Sequence, residues 1–529
     1  MRQPIQSDDG YDVLPYPSMP ITYAQPAHLA ALGILFGMVP PAVDHARSLE
    51  LGCASGGNII PLAARFPSAS FLGIDLSHRH ISDGRKRIAK CALQNVQLRQ
   101  DDLTTIDLSG EQFDYVICHG VFSWVPRATQ DAILGLCRDA LAPNGLATIS
   151  YNVLPGWHMR HVIRDLCLYY AGKDGTPQSR VAKARVALEQ IAECTDDTEP
   201  YGHLLRTEAR RLKRVPSSYM LGEFLALENT PCYVQDFIQR AKGFGLDFLC
   251  EADLFDAVPQ TLDAATRNRI TSLVAPDRLA QEQQIDYITG RLFRRSVLVR
   301  QQTDTAPRRV PRPDQLSFLH IASPIRPDGV TNENGTIVFK DERERPITVK
   351  DPTIGHALKR LGAAFPKTLS CDELLGGTQM DPKAKPEDAE RLRHAIFTMV
   401  LAGRASISVL PLQVGNAADE WPKAWRFAQI EAMSGQPWIT SLRHVGIPMH
   451  PVLLVLLPYL DGTHARPELR ALLFNALERG VVQVPELPGD QPLPLRETID
   501  ALAGTYLDWS LSYLARHALL VPVMSQGVV

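Results

Sequence analysis

The chain has 529 residues, of which 45% are hydrophobic and 21% charged, and its formal net charge is −3 at pH 7. This length exceeds the size at which one hydrophobic core keeps growing, so we expect roughly three or four domains. The nearly balanced charge argues against wholesale electrostatic binding to nucleic acid or to an anionic membrane. The nine cysteines include no C-x-x-C pair, which favours neither a zinc site nor a disulfide framework.

The N-terminal residues 1–20 are polar and rich in proline, and they lack the apolar core of a secretory signal. Segments 29–43 and 451–460 are the most apolar, but both are shorter than the roughly 20 residues that span a bilayer. We therefore expect a soluble, cytoplasmic protein without stable membrane insertion. After the N-terminal lead, the pattern predicts a helix from about Gln25 to Met38, which a pair of prolines ends.

Residues 47–77 read RSLELGCASGGNIIPLAARFPSASFLGIDLS, a pattern that predicts a strand, a tight turn, a helix and a second strand. Small residues in the turn allow the backbone to approach a ligand closely, and the start of the helix offers unpaired N–H groups. Asp75, about twenty residues after the turn, can accept hydrogen bonds from both hydroxyls of a ribose. The stretch therefore predicts a nucleoside-binding site.

The residues of this turn discriminate between two kinds of nucleoside ligand. Gly52, Ala54 and Gly57 form a loose dinucleotide-binding pattern, but Glu50 would repel a pyrophosphate and attract a cationic ligand with an amino group. S-adenosylmethionine carries both a sulfonium and an ammonium group. The pattern E-x-G-x-A-x-G followed by Asp75 resembles motif I of class I S-adenosylmethionine-dependent methyltransferases, although Ala54 stands where the general pattern has glycine. This resemblance implies S-adenosyl-L-methionine as the cofactor.

After Asp75, predicted strands and helices keep alternating, which indicates a mostly parallel, doubly wound sheet of the α/β class. Ligands bind such sheets at the carboxyl ends of the strands, where Glu50, Asp75, Asp102 and His119 would gather. The resemblance to class I methyltransferases now extends over residues 45–152. QDDL matches the segment whose acid, here Asp102, meets the adenine amine, and FDYVICHGVFSWVP matches the fourth strand, whose end faces the methyl donor and acceptor.

The resemblance implies a set of cofactor contacts at these strand ends. We expect Glu50 to bind the ammonium group or the turn backbone, Asp75 to bind the ribose, and Asp102 to bind the adenine amine. The backbone of the turn would hold the methionine moiety. The full set of expected cofactor-binding residues is Glu50, Gly52, Cys53, Ala54, Gly56, Asn58, Asp75, Leu76, Asp102, Leu103 and His119.

The methyl acceptor needs no catalytic triad or metal, because methyl transfer is a direct displacement that mainly requires positioning and desolvation. His119 is the best-placed base or carbonyl orienter, and the alternative is that it only shapes the cofactor pocket. An aromatic pocket would desolvate a lysine amine and lower its pKa. The aromatic residues expected to form this pocket are Tyr16, Tyr23, Trp124, Tyr151 and Trp157.

Several of these residues have a second interpretation. Tyr16 and Tyr23 lie in the lead and could instead hold it on the core, and Trp157 could serve packing alone. His158 and His161 could share one helix face, but no third ligand lies near them in the sequence, so we expect no metal site.

Residues 171–300 read as mainly helical and contain a basic run, 206–214, which is typical of a solvated helix face or of docking to an acidic partner. The order EFLALENTPCYVQDF, GLDFLCEA and IDYITGRLFRRSVLVR resembles the methyltransferase regulatory domain. Together with SYNVLPGW and the lead, it resembles the architecture of the rickettsial protein lysine methyltransferases that modify outer-membrane proteins. This resemblance covers residues 11–300.

A proline- and arginine-rich linker, 301–315, precedes two C-terminal modules. Residues 316–410 read as a small α+β, winged-helix-like module, but its helices carry mixed charge, so we expect no nucleic-acid binding. Residues 411–529 read as mainly helical, and TSLRHVGIPMHPVLLVLLPYLDGT resembles the carboxyl-terminal segment of the same methyltransferases. We expect Arg443 and His444 in that segment to be structural caps.

The predicted architecture is a Rossmann-like methyltransferase domain with its lead (1–170), a mainly helical regulatory domain (171–300), the linker and the two C-terminal modules. The leading hypothesis is S-adenosylmethionine-dependent methylation of lysine side chains in a protein substrate. The alternatives are a small-molecule methyltransferase and a cofactor-binding regulatory protein without turnover. A homodimer stays open.

Overall fold

A computed structural model of the chain describes residues 18–254, 264–274, 277–301, 310–331, 336–376, 386–436, 438–483 and 495–523. The expected acceptor-site residue Tyr16 lies outside these residues.

Seven strands build the central sheet. They are β1 (Arg47–Leu51), β2 (Ser70–Asp75), β3 (Val96–Gln100), β4 (Phe113–Cys118), β5 (Leu141–Asn152), β6 (Leu246–Glu251) and β7 (Phe293–Arg300). Their order in the sheet is β3-β2-β1-β4-β5-β7-β6. β1 to β5 are mutually parallel, whereas β7 runs antiparallel to both of its neighbours. The predicted doubly wound, Rossmann-like sheet is confirmed.

Helices cover both faces of this sheet, as the alternating sequence pattern requires. Tyr115 and Val116 on β4 point to opposite faces, and each is buried in a separate hydrophobic core. The helices of the first 171 residues are α1 (Pro26–Leu35), α2 (Ile59–Arg65), α3 (His78–Lys90), α4 (Arg127–Ala140) and α5 (Gly156–Ala171). The predicted helix after the lead is therefore present and slightly shorter than expected.

The middle of the chain supplies both helices and the last two strands of the sheet. Its helices are α6 (Pro177–Cys194), α7 (Pro200–Leu212), α8 (Ser217–Phe224), α9 (Val234–Gly243), α10 (Ala264–Val274) and α11 (Arg278–Thr289). β7 pairs with β5 through six consecutive residues, from Ala147↔Leu298 to Asn152↔Phe293. The sheet thus includes strands from both sides of position 170, where the sequence suggested a domain boundary. The sequence did not show this because β7 pairs with β5, which is more than 140 residues away.

The range 316–410 folds into small sheets and helices. Its strands are β8 (His320–Ala322), β9 (Arg326–Thr331), β10 (Ile337–Lys340), β11 (Pro346–Val349), β12 (Leu369–Ser370) and β13 (Ser406–Ser408). Its helices are α12 (Pro352–Ala364), α13 (Cys371–Leu375) and α14 (Pro386–Leu401). Ile321 and Leu358 of this module belong to the same hydrophobic core as α1 and α2, so the module packs against one face of the main sheet.

The described residues after 410 form the C-terminal module and include a β-hairpin as well as helices. Its elements are α15 (Arg426–Met433), β14 (Trp438–Thr440), β15 (Gly446–Pro448), α16 (Pro451–Leu456), α17 (Arg466–Glu478) and α18 (Leu495–Arg516). An ion pair between Arg87 on α3 and the buried Glu431 on α15 joins this module to the part of the chain that contains the main sheet. Among the described helices, none is long and apolar enough to cross a membrane.

Candidate active site

The turn between β1 and α2 forms the floor of the site. The backbone N–H groups of Gly52 and Cys53 donate to the carbonyl oxygen of Ile74, at 2.8 and 3.0 Å, which ties the turn to the end of β2. Gly52 has a φ of +74°, and a Cβ there would overlap the side chain of Val121. Ala54, which replaces the glycine of the general motif, also adopts a left-handed conformation, with a φ of +47°.

Glu50 on β1 is buried, and only one of its two carboxylate oxygens has a protein partner. The Nδ2 group of Asn58 donates to Oε1 over 3.1 Å, whereas no described residue donates to the buried Oε2. Burial raises the pKa of the Glu50 carboxyl to about 8; the Asn58 hydrogen bond opposes this rise, and the Asp75 charge adds to it. An ammonium group at Oε2 would supply the missing donor and a positive charge.

Asp75, at the end of β2, shapes the same turn. Its Oδ2 accepts from the backbone N–H of Ala54 at 2.8 Å, and its Oδ1 accepts from the N–H of Ser77 at 2.9 Å. His80 lies 3.7 Å from Oδ1 through its Nδ1. Each carboxylate oxygen keeps further acceptor capacity, because ionised carboxylates offer about four lone-pair sites. The carboxylate can therefore hold the turn and still receive two hydroxyl groups.

Asp102 follows β3 and closes its own local turn. Its Oδ1 accepts from both the backbone N–H and the hydroxyl of Thr104, at 2.9 and 2.8 Å, which leaves Oδ2 for a ligand. The neighbouring Leu103 packs partly buried against the core behind the sheet, whereas Leu76, after β2, is exposed. Apolar side chains beside two acidic strand ends provide surfaces for a flat base.

The N-terminal lead crosses the turn at its helical end. The hydroxyl of Ser18 accepts from the backbone N–H of Gly57 at 2.7 Å, and a Cβ at Gly57 would overlap the Ser18 backbone. Gly56, Cys53 and the buried Asn58 complete the predicted cradle in this region. The lead is therefore part of the site. Residue 57 must be glycine because any side chain there would overlap the lead.

Tyr23 and His119 meet at the end of β4. The Tyr23 hydroxyl is hydrogen-bonded to Nδ1 of His119, and their ring centroids are 5.5 Å apart. Phe293, the first residue of β7, packs edge-on against His119 at 5.9 Å. The guanidinium of Arg295 lies over the rings of Tyr23 and Phe293, at 4.6 and 5.3 Å from their centroids. We call these four residues the acceptor cluster.

The environment of the acceptor cluster keeps its titratable rings neutral. Burial, together with the Arg295 charge, lowers the pKa of His119 to about 4. Burial raises the pKa of the Tyr23 hydroxyl well above its usual value, and the Arg295 charge only partly offsets this rise. At physiological pH, the cluster therefore presents an uncharged imidazole and an uncharged phenol beside one guanidinium.

The other described aromatic residues predicted for the acceptor pocket differ in exposure: Tyr151 and Trp157 are buried, whereas Trp124 is partly exposed. Tyr151 is fully buried, stacks on Phe237 at 3.8 Å and shares a hydrogen bond with Ser296, so it is a core residue and not part of an open pocket. Both faces of β5 are covered from residue 145 to residue 152, so either direction of the Tyr151 ring leads into the interior. Trp124 is only partly buried and contacts Trp157 edge-on at 5.8 Å, but Trp157 is fully buried at the start of α5.

Three members of the site were missed from the sequence, namely Ser18, Phe293 and Arg295. Phe293 and Arg295 alternate on β7, in the motif that resembles the regulatory domain, so their period-2 spacing places them on one face. That spacing was the available signal, but pairing of β7 with β5 was needed to bring it to His119. No group of three or more His, Cys, Asp or Glu side chains suited to a metal occurs in the described parts of the chain.

The residues present fit S-adenosylmethionine. Oε2 of Glu50 is a buried acceptor without a donor, which suits the ammonium group, and the remaining lone pairs of Asp75 suit the ribose hydroxyls. Gly52 and Gly56 adopt positive φ values, and a Cβ at these positions would overlap the side chains of Val121 and Ile60, so the tight turn requires glycine at both. These acceptors would not suit a pyrophosphate, because its oxygen atoms are also acceptors and the Asp75 charge would repel it.

Comparison with known proteins agrees with this geometry. The family described as "Methyltransferase domain" matches residues 49–147, and the "Predicted methyltransferase regulatory domain" matches residues 216–300. The family described as "PKMT, C-terminal winged helix domain" matches residues 420–519, a range that the sequence pattern suggested to be mainly helical. The winged helix therefore includes the hairpin formed by β14 and β15.

Two solved structures and one curated protein resemble most of the chain, and a second curated protein resembles a little less than half of it. PKMT2 from Rickettsia typhi superposes with a TM-score of 0.85 and 27% identity, covering 96% of this chain and 100% of that one. Its complex with AdoHcy superposes with a TM-score of 0.82. Uncharacterized protein RP028 of Rickettsia prowazekii is 37% identical over 44% of this chain and 93% of its own length.

A second protein of Rickettsia prowazekii, uncharacterized protein RP789, is 30% identical over 482 residues, which is 89% of this chain and 86% of that protein. The similarity therefore includes the regulatory region and the C-terminal modules as well as the sheet. The chain belongs to one family with this protein, and it is a class I S-adenosylmethionine-dependent methyltransferase with a methyltransferase regulatory domain and a PKMT-type winged helix domain.

Proposed function

We propose that this methyltransferase acts on protein substrates and transfers the methyl group to lysine side chains. The order of motifs resembles that of the rickettsial protein lysine methyltransferases, and the likeness to PKMT2 of Rickettsia typhi extends over 96% of the chain. A metabolite needs only a pocket of roughly 300 to 1,000 Å³, which the sheet and its loops alone can provide. The large part of the chain beyond the sheet therefore favours a macromolecular substrate.

The observation that carries this proposal is the acceptor cluster. A lysine amine must lose its proton before it can attack a methyl group. An amine that enters among Tyr23, His119 and Phe293 loses water, which lowers its pKa, and the like charge of Arg295 lowers the pKa further. The cluster therefore favours the neutral, nucleophilic form of an amine.

Each polar residue of the site has a defined part in this reaction. S-adenosylmethionine, when bound, supplies an electrophilic methyl carbon on its sulfonium. Glu50 would hold the ammonium group of the cofactor through Oε2, Asp75 the ribose and Asp102 the adenine amine. The cluster would hold the attacking amine in line with the methyl group, in a volume from which Tyr23 and Phe293 exclude water.

The role of His119 depends on which of its nitrogen atoms carries the hydrogen. If Tyr23 donates to Nδ1, the hydrogen lies on Nε2, which then orients a substrate carbonyl by donation. If Nδ1 donates to Tyr23, Nε2 is a free acceptor that orients the amine or receives its proton. Replacing Tyr23 by Phe removes the partner of Nδ1, so a changed pH dependence of kcat with unchanged cofactor affinity would identify the second role.

The decisive experiment uses full-length enzyme, methyl-labelled S-adenosylmethionine and a bacterial protein extract, followed by mass spectrometry of the labelled bands. We expect methyl groups on lysine residues of protein bands. A matched reaction with Glu50→Gln enzyme should show little label, which excludes a contaminating methyltransferase. Label confined to small extractable molecules, or label on a residue other than lysine, would overturn the proposal.

A further inference from the structure

The C-terminal module reaches the cofactor turn through one buried histidine. His444 lies in the tight turn between β14 and β15, with a φ of +59°, and it is 2% exposed. Its Nε2 is 2.7 Å from Oδ1 of Asn58, the residue that directly precedes α2. The two residues are 386 positions apart in the chain. A side chain of the winged-helix region thus contacts the residue that joins the cofactor turn to α2.

The hydrogen-bond pattern determines the orientation of both side chains. Oδ1 of Asn58 also accepts from the backbone N–H of Ile21 at 3.0 Å, and a backbone N–H can only donate. The oxygen of the Asn58 amide therefore faces Ile21 and His444, and its Nδ2 faces Glu50. Since Oδ1 can only accept, Nε2 of His444 must carry its hydrogen. Burial and the nearby Arg65 lower the pKa of His444 to about 3, so its ring is neutral.

The orientation of the Asn58 amide in turn determines the hydrogen bond to Oε1 of Glu50. Asn58 can donate to Oε1 of Glu50, over 3.1 Å, only while its amide keeps this orientation. A flipped amide would put an oxygen against the carboxylate, with repulsion in place of a hydrogen bond. Two donors, one from the lead and one from the C-terminal module, therefore act together to keep Nδ2 on Glu50 and to leave Oε2 for a ligand.

We propose that His444 is a positioning residue of the cofactor site, which acts through Asn58 to hold Glu50 for the ammonium group of S-adenosylmethionine. The winged-helix region then completes the cofactor site, and the sheet alone lacks one of the groups that orient its buried carboxylate. This role depends on the cofactor and not on the identity of the methyl acceptor.

A purely structural role for His444 is the competing explanation. The Thr22 hydroxyl donates to the carbonyl oxygen of His444 at 3.0 Å, so the turn also anchors the lead. Loss of the histidine ring could loosen the lead, or it could merely destabilise the hairpin. These effects would act on the whole cofactor site, whereas the proposed role acts only on its ammonium end. Ligands with and without that end therefore separate the two explanations.

The test is isothermal titration of the full-length protein with S-adenosylhomocysteine and with 5′-methylthioadenosine, which keeps the nucleoside and sulfur but lacks the amino-acid group. For His444→Ala we expect about fivefold to tenfold weaker binding of S-adenosylhomocysteine, which corresponds to one lost hydrogen bond. Binding of 5′-methylthioadenosine should change by less than about twofold. His444→Gln, whose amide can donate at a similar place, should recover most of the loss.

Two further variants complete the design. Ile439→Ala removes a fully buried side chain of β14 that makes no polar contact with the turn, so it should lower the unfolding temperature without changing the ratio of the two affinities. In an Asn58→Ala background, His444→Ala should have no additional effect on S-adenosylhomocysteine, because its partner is absent. An unchanged affinity in His444→Ala, or an equal loss for both ligands, would overturn the proposal.

Discussion

Two buried carboxylates on the same sheet differ in how completely they are paired. Glu251, on β6, accepts from Arg294 and the Ser296 hydroxyl through Oε1, both at 2.9 Å, and from the backbone N–H of Arg295 through Oε2 at 2.8 Å. Glu50, equally buried, accepts a single hydrogen bond from Asn58. Burial alone therefore does not distinguish the carboxylate that we propose to bind the cofactor from a structural one.

The electrostatic consequence differs in sign. Burial raises the pKa of both carboxyls, but for Glu251 the charges of Arg294 and Arg291 and its hydrogen bonds outweigh burial and hold the pKa below its usual value. For Glu50 burial prevails, and the pKa rises to about 8. A buried acid with an unfilled acceptor and no neighbouring cation therefore holds a proton in the unliganded protein, and a cationic ligand at that acceptor would stabilise its ionised form.

The largest effect is expected at the paired carboxylate. The guanidinium of Arg294 is fully buried and forms ion pairs with Glu251, Glu282 and Asp286, at 2.9 to 3.0 Å. Arg294→Met would leave these carboxylates buried without their cation, at a cost of about 3–5 kcal/mol in the free energy of unfolding. Urea or thermal unfolding measures this loss. Arg138→Met, at an exposed ion pair with Asp139, is the control and should change stability by less than about 0.5 kcal/mol.

Replacing Glu50, which has no cationic partner in the protein, should weaken ligand binding without lowering stability. Glu50→Gln removes the charge that would meet the ammonium group, so S-adenosylhomocysteine should bind about 10- to 100-fold more weakly. The unliganded variant should be at least as stable as the wild type, because no buried charge loses a partner. Calorimetric titration and thermal unfolding of the same samples give both results. A clear loss of stability without loss of affinity would reverse the assignments of the two carboxylates.

The raised pKa of Glu50 predicts a pH dependence of stability. Between the usual value of 4.5 and the folded-state value of about 8, the folded protein keeps a proton that the unfolded chain has released. The free energy of unfolding of the wild type, relative to that of Glu50→Gln, should therefore fall as pH rises through this window. The decrease should be at most about 1.4 kcal/mol per pH unit and should level off above the window. Unfolding temperatures of both proteins from pH 5 to 9 test this. Parallel curves would mean that Glu50 is ionised throughout.

The smallest effect is expected where the pairing is redundant. Ser296→Ala removes one donor of Glu251, but Arg294 and the backbone of Arg295 remain, so the loss of stability should be about 0.5–1.5 kcal/mol. The affinity for S-adenosylhomocysteine should stay unchanged. If Ser296→Ala were as harmful as Arg294→Met, the cluster would not be redundantly paired, and the contrast with Glu50 would lose its basis.

Much of the fold followed from local pattern. The turn of residues 52–57, the acid at the end of β2 and the alternation of strands and helices up to residue 152 each depend on residues that are close in sequence. The structure bears out the doubly wound sheet, and Glu50, Asp75, Asp102 and His119 all lie at strand ends or directly after them. The aromatic pocket was less predictable, since both faces of β5 are covered and Tyr151 packs in the core against Phe237, which is distant in sequence.

By itself, the sequence determined the nucleoside turn, its acidic flanks and the alternation of strands and helices up to residue 152, because backbone periodicity and turn chemistry are short-range properties. The tertiary structure alone decided that β6 and β7 complete the sheet, that Arg295 joins Tyr23 and His119, and that His444 reaches Asn58. These pairings join residues separated by up to several hundred positions. Their partners are selected by packing and by the need of buried polar groups for hydrogen bonds, which no local pattern records.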